Sequence, residues 1–122
     1  MIKGFTLGDI SIDCREPERL REFYANVSGW EKQTMFDCPA LITGTGLAIL
    51  FMGCDFEYTP PIWPEESGKQ QKQMHFNFGV DDLISGVDEA TKFGAIKAEH
   101  QYGEHYVVMI DPEGHPFCLC QN

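Results

Sequence analysis

The residues best suited to chemistry in this chain are a few polar side chains on strand-like stretches. His75 and Asn77 alternate with apolar Phe76, Phe78 and Val80, a period of two that places them on one face of a strand. Asp9, Ser11 and Asp13 alternate in the same way with Ile10, Ile12 and Cys14. A carboxylate beside an imidazole can work as a general base, the carboxylate holding the ring in one tautomer. The same two groups can bind a cation, or His75 can be an ordinary cavity histidine hydrogen-bonded to Asp9 or Asn77. Cys118 and Cys120 also share a strand face. A thiol there is a nucleophile only if its thiolate is stabilised, and nearby carboxylates oppose that. Both cysteines are therefore expected to serve as small buried hydrophobes.

Those side chains need elements to carry them. The strand from Met74 runs into Asp81 and Asp82, N-cap residues for a helix over 82–93, with Leu83, Val87 and Ala90 inward and Gly94 as its stop. Gly86 in the middle costs about 1 kcal/mol relative to alanine, so packing must hold that helix. The earlier strand, Phe5 to Cys14, feeds a helix with Pro17 at its first position and Gly29 at its end. Leu20, Phe23, Tyr24 and Val27 form its apolar stripe. Asp9 thus stands 66 residues (75 − 9) before His75, in the same place of a repeat. Three strands are predicted after each helix: 31–36, 40–43 and 47–52, then 96–100, 105–110 and 116–120. Pro39, Gly44-Thr-Gly46, Gly103 and Asp111-Pro-Glu-Gly114 read as turns. The order is βαβββ twice, in modules 5–53 and 74–121, with Leu50 matching Cys118.

Between them lies the irregular loop 54–73, with Pro60-Pro-Ile-Trp-Pro64 and Gly68-Lys-Gln-Gln-Lys-Gln73. A connection this long is a linker or a binding loop, and Trp63 within it is either a lid or a staple. His100, Tyr102, His105 and Tyr106 crowd the second module's middle strands, and at least one is expected to line a pocket. His115 is expected to hydrogen-bond within its turn.

The 122 residues suit one domain, 1–122. Nine basic and nineteen acidic residues give a net charge of −10, which disfavours nucleic acid and anionic membrane surfaces and favours small cationic ligands. No stretch approaches the roughly 20 apolar residues of a membrane span. Five cysteines without framework spacing point to reduced thiols and a cytoplasmic protein. Phosphate loops, GxSxG, CxxC and basic aromatic patches are not found.

Three segments together resemble the vicinal oxygen chelate superfamily of glyoxalase, bleomycin-resistance and extradiol-dioxygenase proteins. They are Glu16-Pro-Glu-Arg-Leu-Arg-Glu-Phe-Tyr24 with Gly29-Trp30, His75-Phe-Asn-Phe-Gly-Val-Asp-Asp-Leu83, and Asp111-Pro-Glu-Gly-His-Pro-Phe-Cys118. The prolines around Trp63 and the Gly-His-Pro-Phe-Cys ending are most similar to its glyoxalase-like branch. The resemblance implies an α+β fold whose two βαβββ modules curl eight strands around an open cavity, and a homodimer. It also implies metal ligands on the first and fourth strands of each module. Those places hold Asp9, Leu50 or Met52, His75 and Cys118, and only His75 matches the family's His or Gln, Glu, His, Glu. The expectation is a small-molecule-binding protein whose pocket is formed by Asp9, Ser11, Asp13, Met52, Trp63, His75, Asn77 and Cys118. Its ligand would be cationic or aromatic, with no metal. The alternative is a metal-dependent lyase, isomerase or dioxygenase holding zinc, iron, manganese or nickel on Asp9, His75 and Cys118.

Overall fold

The computed structural model describes residues 1–54 and 56–122. They form two compact units, Met1–Tyr58 and Thr59–Asn122, and the fold is α+β with one βαβββ motif in each. The first unit contains β1 (Asp9–Cys14), α1 (Pro17–Ser28), β2 (Glu31–Met35), β3 (Cys38–Ile42) and β4 (Ala48–Gly53). The second contains β5 (Asn77–Val80), α2 (Leu83–Lys92), β6 (Ile96–Lys97), β7 (Tyr106–Ile110) and β8 (Pro116–Gln121). Each sheet is four-stranded and open, in the orders β1-β4-β3-β2 and β5-β8-β7-β6. The outer pairs β1–β4 and β5–β8 are parallel and the others antiparallel.

In the first unit α1 begins with Pro17 at its first turn and ends at Gly29, which takes a left-handed φ of 72° and donates its N–H to Ala25. Leu20, Phe23 and Tyr24 are buried against β3 and β4, where Leu41, Ile49 and Phe51 are buried too. The Tyr24 ring stacks on Phe51 at 6.0 Å. Val27, expected in the stripe, is more than a third exposed at the end of the helix.

The β2–β3 hairpin corrects one expected turn. Pro39 is not its punctuation; it lies inside β3 opposite Thr34. The reversal falls on Phe36 and Asp37, both at positive φ (52° and 60°), the backbone of a two-residue hairpin turn that matches strand twist. No Gly or Asn marks those positions, so the composition concealed the turn.

In the second unit the Asp82 carboxylate accepts the Ser85 N–H at 3.1 Å and caps α2. A Cβ on Gly86 would stand 3.4–3.6 Å from Val80 and Leu119, ordinary van der Waals contact, so the packing of the helix on the sheet has room for it. Phe76, Phe78 and Phe117 add a row of ring contacts at 5.4 and 5.8 Å.

Two expected strands of this unit are shorter in the structure. β5 starts at Asn77, not Met74. The ladder places the Cys118 N–H on the Phe76 carbonyl, and pairing His75 with Pro116 one step back would need a bond from the Pro116 nitrogen to the Met74 carbonyl, for which proline has no N–H. β6 ends at Lys97 rather than at His100: the Ala98 N–H still donates to the Val108 carbonyl at 3.0 Å, but the Gln101 side chain takes the place of the return bond between Val108 N–H and the Ala98 carbonyl. Its Nε2 donates to the Ala98 and Val108 carbonyls and its Oε1 accepts the Val108 N–H, all at 2.8 Å.

The β7–β8 turn is built on Asp111, the one charged residue among the buried ones described. One carboxylate oxygen accepts from the backbone N–H groups of Glu113 (2.8 Å) and His115 (3.0 Å) and contacts His115 Nδ1 at 2.9 Å. His115 is thus a turn partner, as expected.

Two stability changes follow. Asp111→Ala strips two buried N–H groups and the imidazole of their acceptor and should cost about 2–4 kcal/mol in urea unfolding. Gly86→Ala meets only ordinary van der Waals neighbours and regains helix propensity, so the same measurement should show stabilisation approaching 1 kcal/mol.

Candidate functional site

The face of each sheet turned away from its helix carries the polar side chains singled out by the sequence. In the first unit Asp9, Ser11 and Asp13 pair in register with Ala48, Leu50 and Met52. Asp9 is half-buried, while Ser11 and Asp13 are exposed. Beyond this acidic edge the face is hydrocarbon. Ala40, Ala48 and Leu50 are buried, with Met35, Cys38 and Ile42 packed against them. The face thus has a polar edge strand and an apolar floor, because only β1 alternates in polarity, whereas β3 and β4 are apolar on both faces.

The second unit repeats that plan. Asn77 pairs in register with Cys118, as Ser11 does with Leu50, so the duplicated positions coincide. Asn77 is exposed, as is His75 just before the strand. The floor is Ala98, Val108 and Cys118, buried, with Trp63, Tyr106, Ile110 and Cys120 packed on it.

Trp63 is a staple. Its ring lies in that cluster, its Nε1–H donates to the His100 carbonyl at 3.2 Å, and Tyr102 meets it edge-on at 5.6 Å. An open cleft of about 520 Å³ is bordered by Trp63, Pro64, Ile96, Ala98, His100 and Ile110. His100 is therefore the member of the histidine and tyrosine group that lines a pocket in this unit.

Sequence reasoning missed Lys72. It reads as part of a polar run, yet its side chain is only 16% exposed and its ammonium meets Glu65 at 2.6 Å and the Trp63 ring at 5.0 Å. The seven-residue separation of Lys72 and Glu65, across Gly68, was the available signal for a closed loop. Ile62 N–H also donates to the Gln70 carbonyl at 2.9 Å.

Cys118 behaves as a buried thiol. Burial pushes its pKa up, the neighbouring Cys120 pushes the same way, and Lys72 acts in the opposite sense. The cause differs from the carboxylates expected, but the thiol is protonated either way.

A divalent metal at the family positions would need donors that this chain does not supply. Leu50 is 3% exposed and has no donor atom; Met52 offers only a thioether, and Cys118 a buried thiol. Asp9 lies in one unit and His75 and Cys118 in the other. Within neither unit, among the described residues, do three His, Cys, Asp or Glu side chains converge. This donor set does not fit a hard divalent ion.

The thiol environment is directly measurable. At pH 8, iodoacetamide should modify exposed Cys54 well before Cys118. A folded pKa raised above its unfolded value stabilises the fold below the ordinary thiol range, and that contribution is lost as pH rises through the folded value. Cys118→Ala should flatten the alkaline decline in stability.

Several solved structures share this fold. One is a glyoxalase/bleomycin resistance protein/dioxygenase family enzyme from Burkholderia phytofirmans (TM-score 0.73, 21% identity, 96% of this chain and 98% of that one). Another is the fosfomycin resistance protein FosX from Mesorhizobium loti (TM-score 0.68, 16% identity, 100% and 94% covered). A third is a FosX variant from Listeria monocytogenes, complexed with Mn(II) and 1S,2S-dihydroxypropylphosphonic acid (TM-score 0.69, 15% identity, 98% and 90% covered). No curated protein matches the chain. No helix among the described residues is long and apolar enough to cross a membrane. The family description "Glyoxalase-like domain" matches residues 9–120. With the paired βαβββ motifs, that match makes the chain a glyoxalase-like domain of the vicinal oxygen chelate superfamily.

Proposed function

We propose that this protein binds a small organic molecule on the sheet faces turned away from its helices, and that it does so without a divalent metal. The observation that carries this reading is the β1–β4 register. It sets a row of two carboxylates and a hydroxyl (Asp9, Ser11, Asp13) directly beside hydrocarbon (Ala48, Leu50, Met52). An acidic edge against an apolar floor suits a ligand with a cationic group and an apolar or aromatic body. The net charge of −10 adds a weak long-range attraction of the same sign. In the second unit Trp63, His75, Asn77 and Cys118 are the residues proposed to meet ligand, Trp63 and Cys118 through their apolar surfaces. The fosfomycin resistance relative carries Mn(II) with a dihydroxypropylphosphonic acid; an anionic ligand of that kind would meet carboxylates on the first unit's face here, so a different ligand charge is proposed.

Calorimetric titration with benzyltrimethylammonium and with benzoate tests the charge preference. The cation should bind and benzoate should not. Asp9→Asn and Asp13→Asn should each weaken the cation two- to five-fold, about 0.5–1 kcal/mol for partly exposed charges. Equal binding of benzoate, or cation binding indifferent to the double variant, would sink the reading. Stoichiometric zinc, iron, manganese or nickel in tag-free protein after supplementation would instead support the metal-dependent alternative.

A further inference from the structure

β6 is an edge strand of the second unit's sheet, and its backbone is open on the side away from β7. The Ala98 N–H donates to the Val108 carbonyl at 3.0 Å, and Gln101 Nε2 donates to the Ala98 and Val108 carbonyls alike. Both backbone groups of Ala98 therefore point toward β7. The carbonyl and N–H of one planar trans peptide point in opposite directions, so the Lys97 carbonyl and the Glu99 N–H point out from the edge. Ile96, Lys97, Glu99 and His100 are exposed. The cleft bordered by Trp63 is lined by all five residues from Ile96 to His100, so it runs along this edge.

We propose that the β6 edge docks a second copy of this chain, strand to strand and antiparallel, about a twofold axis at Ala98. A lysine in the middle of an edge ordinarily keeps another strand away. Here Glu99 follows two residues later, and this register sets each Lys97 opposite the partner's Glu99, twice by symmetry. Opposite charges directly across a strand pair attract, and a twofold contact repeats the gain. The same register brings each Glu99 N–H to the partner's Lys97 carbonyl, the two groups that point outward. Its centre is a pair without backbone hydrogen bonds, where the chains come closest, roughly 4.5 Å between Cα atoms, and the residue there is the small Ala98. Ile96, 67% exposed in the single chain, falls opposite the partner's His100 on the side of Trp63, so the second copy closes part of the cleft. A contact this short falls below the roughly 1,200 Å² of a stable interface, which makes the dimer one that forms with concentration. The pairing does not rest on the organic-ligand reading, and either can fail without the other.

Sedimentation velocity of the full chain from micromolar to millimolar concentration provides the test. A monomer–dimer equilibrium is expected, with Lys97→Glu and Glu99→Lys each weakening the dimer about tenfold, since either turns both charge pairs repulsive. The double variant, which exchanges the two charges, should recover the wild-type affinity. Glu99→Lys makes the net charge of −10 less negative, which by itself favours association, so weakening there reports the pair and not the overall charge. Both side chains are exposed, and neither change threatens the fold. Hydrogen exchange at the Glu99 amide should slow as wild-type concentration rises, and stay constant in Lys97→Glu. A chain that stays monomeric at millimolar concentration, leaving the edge to a foreign extended peptide, overturns the proposal. So does a dimer indifferent to either single variant, a double variant as weak as the singles, or Glu99 exchange independent of concentration.

Discussion

The parallel pairing of first and last strands within each unit is the constraint on which the rest depends. In a parallel ladder, residues in register share a face, so the pairing decides which side chains become neighbours across the sheet. It sets Ser11 beside Leu50 and Asn77 beside Cys118, and with them every other residue of the face opposite the helix. It also explains an asymmetry between the two repeats. Ala48 carries an N–H where Pro116 does not, so β1 extends back to Asp9 while β5 stops short of His75. The two residues are equivalent in the repeat, yet Asp9 is placed by a strand and His75 by the end of a loop.

That register also determines the chemistry that each face can support. A hydrocarbon at Leu50 and a protonated, buried thiol at Cys118 occupy the fourth-strand places where carboxylates would coordinate a divalent ion. What remains is an acidic edge over an apolar floor in one unit, and in the other an apolar floor with a thiol pair, an indole and an ion-paired lysine. The first arrangement is the basis on which an organic cation is proposed as ligand, through Coulomb attraction and burial.

Much of this was legible because local rules and tertiary packing agreed. Pro17 and Gly29 bound α1, Asp82 caps α2, and Asp111-Pro-Glu-Gly114 closes its turn. Failures came where a distant group replaced a local one. Gln101 ends β6 by offering side-chain amide atoms to the backbone of Val108, a residue seven positions on. Phe36 and Asp37 adopt left-handed backbone without the usual glycine, held there by the strands that they join. Lys72 sits in a run of polar residues indistinguishable from solvent-exposed loop until Glu65 and Trp63 are brought to it.

The sequence by itself determined the repeat, the two helices, the polar alternation of the first strands and the apolar character of Leu50 at a place expected to bear a donor. These are properties of residue type at fixed spacing, and a period of two or 3.6 reads them directly. Only the tertiary structure decided that Trp63 is a staple, that Lys72 is largely buried beside it, and that the faces opposite the helices are apolar beyond one edge strand. Those outcomes rest on contacts between residues far apart in the chain, whose free energy comes from burial and pairing that no local window contains.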